Sequence, residues 1–170
     1  MCIRDREKKG ESFDWGPWDV PDTDFGDTQI TDWAIGKLRE KSEQPLFLAV
    51  GYYRPHIPLW APKRFFDRFK ETPGILPKTE ARDLDDLSET AKEWAREAVT
   101  AGAHQTVLKH EQWEEAVEGY LACVTYIDHE VGRLLDELDR SSMKDDTIVV
   151  LWSDHGWLSL IHISEPTRPY

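Results

Sequence analysis

The sequence predicts an α/β fold, and three observations carry that expectation. Two short apolar runs, "LFLAVGYY" at residues 46–53 and "TIVVLW" at 147–152, are continuous rather than alternating. That is the pattern of strands covered on both faces of a parallel sheet. Between them, residues 113–140 carry one long helical periodicity. Strand, crossover, helix and strand together make a right-handed α/β unit.

Taken in order, residues 27–41 place Ile30, Trp33, Ala34 and Leu38 at three and four spacing, with Asp27 or Thr28 positioned to cap the first turn. This predicts an amphipathic helix. The polar break "SEQP" leads into the first apolar run, which ends in "RPHIPLWAPKRFF". There Pro55, Pro58 and Pro62 are expected to forbid ladder pairing and force an ordered, extended loop. Residues 70–111 read as a long surface excursion with a short helix opened by the box Thr90 to Glu93. The helix that follows sets Trp113, Ala116, Val117, Tyr120, Leu121, Val124, Ile127 and later leucines on one broad stripe. The turn "SSMKDD" then opens the second strand, which ends at Ser153-Asp154-His155-Gly156.

Composition narrows the function classes. The chain has 170 residues, 39% of them hydrophobic, enough for one domain with a sizeable core. Thirty-three acids against 21 bases give a net charge of -12, which argues against nucleic acid or an anionic membrane as partner. No apolar run approaches the roughly 20 residues of a membrane span. The first fifteen residues lack the apolar core of a signal peptide, so targeting does not assign a compartment. Cys2 and Cys123 are too few and too far apart for a disulfide framework or a zinc motif, and Cys123 reads as a small buried apolar residue.

Both ends follow a different logic. From Leu158 the chain back-translates to the transposase mosaic-end adapter of sequencing libraries, and residues 1–5 back-translate to the same element on the complementary strand. Residues 1–6 and 158–170 therefore read as adapter-derived and non-native, leaving 7–157 for fold reasoning. His162 falls in the tail and belongs to no site.

In open α/β sheets ligands bind beyond the carboxyl ends of the strands. His56 follows the first strand on backbone restricted by Pro55 and Pro58, a mounting that suits a substrate-contacting group, although taken alone the residue reads first as one filling a surface turn. Asp154 and His155 follow the second strand, where a carboxylate beside an imidazole holds a divalent cation or caps a turn. Trp60 is the tryptophan to nominate for a substrate rim. His104, His110, Asp128 and His129 read as solvated or structural.

The segments "PLFLAVGYYRPHIPLWAPKRFF" and "GYLACVTYIDHEVGRLLDELDRSSMKDDTIVVLWSDHGW", in this order, resemble the central part of the sulfatases, nearest to the iduronate-2-sulfatase-like branch. The resemblance implies a three-layer α/β/α alkaline-phosphatase-like domain, present here in part, that hydrolyses a sulfate ester, often on a sulfated carbohydrate. It implies a calcium ion with Asp154 and His155 as ligands, and His56 as the histidine that contacts sulfate and protonates the leaving alcohol. Relatives of this kind are often exported, periplasmic or lysosomal. The family nucleophile is a formylglycine made in a C-x-P-x-R motif, and no residue of this chain matches it: Val124, Thr125, Tyr126 and Ile127 follow Cys123. Residues 7–157 thus read as an internal fragment of the catalytic domain, inactive alone. Two alternatives stand beside this: a phosphoester or phosphonate hydrolase of the same superfamily, and a glycan-binding module using Trp60.

Overall fold

A computed structural model of the chain describes residues 13–40, 44–70, 72, 75–77, 82, 84–96 and 104–153. Its sheet pairs β1 (Trp15–Trp18) with β2 (Leu59–Pro62) in parallel, Trp15 opposite Leu59 and Trp18 opposite Pro62. Helix α1 (Gly26–Arg39) connects them, so a parallel crossover unit is present, built from strands other than the two expected. The expectation that the prolines forbid pairing is corrected. Both strands are edges of a two-stranded sheet, the position where proline's missing N–H is tolerated.

The two apolar runs do not form strands among the described residues. Residues 46–53 and 147–152 join no ladder, and Phe47 and Ile148 are each 91% exposed. The expected burial on both faces is therefore also corrected. Covering such a run takes neighbouring strands and a layer on either side, and the described residues supply neither.

After β2 come α2 (Lys63–Phe66), α3 (Glu89–Arg96), α4 (His104–Lys109) and α5 (Trp113–Arg140). The short helix α3 is capped by Ser88, whose Oγ accepts the Ala91 N–H at 3.3 Å, rather than opened at Thr90. At the end of α4, Glu111 takes φ 55° while its N–H reaches Leu108 O and the Gln112 N–H reaches Val107 O. This is the Schellman pattern of helix termination, with glutamate where glycine is usual.

Helix α5 runs where the periodicity placed it and is the wall of the core. Ala116, Cys123 and Tyr126 meet Leu59, Ala61 and Phe65 of β2 and α2, all fully buried. Gly119 also faces the sheet: a Cβ there would lie 2.8 Å from Trp15 Cβ, so β1 sits on the helix only because that residue is glycine. Beyond Glu130 no residue of the helix is fully buried, Leu135 being 40% exposed, and Val124 of the predicted stripe is also 40% exposed.

Helix α1 presents a different side from the one its apolar spacing suggested. Asp27, Thr28, Thr31 and Ala34 are buried, whereas Trp33 is 54% exposed. The polar side turns inward because each of its side chains has a partner there. Thr28 reaches Tyr126 and Glu130, Thr31 reaches Tyr52, and Asp27 reaches the backbone of Tyr53 and Arg54. Neither Asp27 nor Thr28 caps the helix with its own side chain. The orphan N–H of Thr28 is taken by Tyr126 Oη at 2.9 Å, from a residue 98 positions away.

Candidate active site

The site is assembled on the turn that follows residues 46–53. The His56 N–H donates to Tyr53 O at 3.0 Å, closing the turn, and the peptide bonds before Pro55 and Pro58 are both cis. The Tyr53 and His56 rings pack with centroids 4.7 Å apart. His56 is exposed, and its Nδ1 lies 2.7 Å from Ile57 O. A carbonyl only accepts, so Nδ1 carries the proton of this bond. That leaves Nε2 as the nitrogen that accepts a proton when the ring is neutral and donates one when the ring is charged. A group held this way can serve as a general acid or base at one defined atom.

Arg54 ties His56 to Trp60. Its guanidinium donates from Nη1 to His56 O at 3.4 Å and from Nε to Trp60 O at 2.7 Å, and it lies 5.0 Å from the Tyr53 ring centroid. Trp60 belongs to β2 rather than to an irregular loop, and its ring pairs with that of Trp18 at 5.0 Å. The structure thus brings two of the predicted site residues, His56 and Trp60, onto one continuous segment. Asp154 and His155 lie outside the described residues, as do the adapter-like ends 1–6 and 158–170.

Beneath the turn lies Asp27, 6% exposed, with Oδ1 accepting the Tyr53 N–H at 2.8 Å and Oδ2 the Arg54 N–H at 3.3 Å. Sequence reasoning missed Asp27, Tyr53 and Arg54. An acid in the first turn of a helix reads as a local cap, and no spacing rule distinguishes that from donors 26 and 27 residues away.

Other titratable groups separate from this site. Burial pushes the Cys123 thiol up to about 12, which keeps it protonated and unreactive, as its reading as a buried apolar residue requires. Burial lowers the pKa of His129, whose ring packs against Phe65 at 5.6 Å, in keeping with a structural role. A cavity of about 250 Å³ is lined by Phe69, Ile75 and the carboxylates of Glu111, Glu114, Glu115 and Glu118, a lining that repels an anionic ester. Among the described residues no group of three or more His, Cys, Asp or Glu side chains is placed to hold a metal, and no helix is long and apolar enough to cross a membrane.

Comparison with known proteins places the chain in a family. The chain is 33% identical over 156 residues to a sulfatase of Formosa agariphila, covering 89% of this chain and 31% of that protein. It is 32% identical over 151 residues to the iduronate 2-sulfatase of Homo sapiens, covering 82% and 27%, and 26% identical over 170 residues to the choline-sulfatase of Rhizobium meliloti, covering 89% and 33%. The chain spans about a third of the length of these relatives. Sulfatases as a family use a metal ion and a formylglycine. The sulfatase family model matches residues 6–160, nearly the whole chain, and with the two ordered segments this shows that the chain belongs to the sulfatase family.

Proposed function

We propose that the whole protein is a sulfuric ester hydrolase, and that residues 7–157 are the central part of its three-layer α/β/α catalytic domain, flanked by adapter-derived ends. The observation that carries the proposal is the His56 imidazole, exposed, with Nδ1 bonded at 2.7 Å to Ile57 O in a chain of this family. Charged His56 would donate from Nε2 to a sulfate oxygen on binding and pass that proton to the departing alcohol oxygen as the S–O bond breaks. Leaving as an alcohol rather than an alkoxide lowers the barrier, and general acids of this kind contribute about 10²–10⁴-fold.

Asp154 and His155 are the residues we assign to calcium, a hard ion for which the carboxylate is the stronger ligand. When bound, the ion would offset negative charge on the sulfate oxygens. The nucleophile, a formylglycine by family, is assigned to a part of the protein outside this chain. A sulfated sugar is the substrate class we favour, supported by Trp60 beside Trp18, which is 47% exposed and offers an aromatic face to a sugar ring.

The test is expression of the coding region extended at both ends, with sulfate release followed from aryl and sugar sulfates. Sulfate release that falls about 10²–10⁴-fold in His56→Ala is expected. Phosphate release without sulfate release would overturn the assignment in favour of phosphoester chemistry. The chain alone is expected to release no sulfate with calcium present, and turnover by the purified chain would overturn the fragment reading.

A further inference from the structure

We propose that Asp27 is the positioning residue of His56: its buried carboxylate holds the turn that places the imidazole and selects which ring nitrogen carries the proton. Two residues, Tyr53 and Arg54, carry the hydrogen bonds that hold this turn. Tyr53 accepts the His56 N–H at 3.0 Å and donates its own hydroxyl to Ile57 O at 3.1 Å, the same carbonyl that receives His56 Nδ1–H. Arg54 grips the carbonyls of His56 and Trp60 on the far side. The backbone N–H groups of both residues end on Asp27, one on each carboxylate oxygen.

Asp27 suits this task on physical grounds. It stands in the first turn of α1, where the helix dipole favours a negative charge. Its backbone is locked into that helix, and the Thr31 hydroxyl donates to its carbonyl at 3.1 Å. At 6% exposure its bonds are shielded from competing water, and bonds to an ionised acceptor are roughly twice as strong as neutral ones. The segment from residue 46 to 53 has no ladder among the described residues, so a rigid helix at one end supplies the reference frame that a strand would otherwise give. Removing the carboxylate frees Tyr53 and Arg54 together, and with them the Ile57 carbonyl that selects the tautomer.

The proposal rests on the reading of His56 as the proton donor, but its test does not. Nitrogen-15 correlation spectra of the imidazole rings, taken about two units above the ordinary histidine pKa, report the neutral tautomer directly. His56→Gln assigns the signal. In the wild-type chain His56 is expected as the Nδ1–H tautomer. In Asp27→Asn, which keeps one acceptor, and Asp27→Ala, which keeps none, the Nδ1–H to Nε2–H ratio should fall in that order, by at least roughly tenfold in the alanine variant. Thr28→Val loosens α1 from α5 without touching the turn, and should leave the ratio unchanged.

An Nε2–H signal in the wild type, an unchanged ratio in both Asp27 variants, or an equal change in Thr28→Val would each overturn the positioning role. Should both Asp27 variants unfold, amide exchange in the wild type decides. The Tyr53 and Arg54 amides should exchange at least roughly tenfold more slowly than those of Leu48 and Val50, and equal rates overturn the proposal. A full-length protein that releases no sulfate would defeat the functional reading and leave the tautomer result standing.

Discussion

Tyr126→Phe isolates the contact that joins the two main helices. The ring is fully buried, and the substitution deletes only Oη, so packing volume is almost conserved. The hydroxyl chain has one consistent direction. Thr28 N–H donates to Tyr126 Oη at 2.9 Å, and ionised Glu130, which only accepts, takes the Thr28 hydroxyl proton at 2.9 Å. The Tyr126 proton therefore goes to Thr28 Oγ1 at 2.8 Å. Phenylalanine removes that bond, worth about 1 kcal/mol, and leaves the buried Thr28 N–H without an acceptor, at about 1–3 kcal/mol. The expected loss is about 2–4 kcal/mol in urea unfolding. Thr28→Val removes the hydroxyl but keeps the N–H, so the double variant should show a coupling of about 1 kcal/mol. A loss below about 0.5 kcal/mol, or no coupling, would refute the chain as drawn.

Four further outcomes are expected. Gly119→Ala should destabilise by about 1–2 kcal/mol in the urea midpoint, because its Cβ meets Trp15 Cβ at 2.8 Å and that strain outweighs the gain in helix propensity. Gly132→Ala, with nothing within 4 Å, should stabilise the same helix by up to about 1 kcal/mol. Glu111→Gly should raise stability by about 0.5–1 kcal/mol in thermal unfolding, since φ 55° costs glutamate and not glycine. Phe47→Lys and Ile148→Lys, at sites 91% exposed, should leave stability within about 0.5 kcal/mol while lowering self-association in sedimentation, because both runs expose large apolar side chains.

The pH dependence has a defined sign. Burial pushes Tyr126 up to about 12 from 10.0 and Cys123 up to about 12 from 9.0, and it raises Tyr52 as well. These groups hold their protons more tightly folded than unfolded, so their contribution is complete below about pH 9 and is lost as pH rises toward 12. Stability followed by urea unfolding across that window should fall, and the fall should be shallower in Tyr126→Phe.

The long helix was legible because its evidence is local and repeated. Twenty-eight residues of helical periodicity leave little room for another structure, and α5 spans Trp113–Arg140. Helix α1 was legible in extent but not in orientation, because apolar spacing cannot register that Asp27, Thr28 and Thr31 have distant partners. The two apolar runs show the opposite failure. Their composition marks them as buried strands, yet a strand depends on neighbours, and among the described residues neither run has one.

By itself, the sequence determined the family, the acidic character and the long helix, because each is written in residue types and short spacings, and the family resemblance then singled out His56 as the candidate acid. Only the tertiary structure decided what holds His56 and which nitrogen stays free. That depends on Asp27 meeting Tyr53 and Arg54 across the chain, a contact set by how α1 packs and carried by no local pattern.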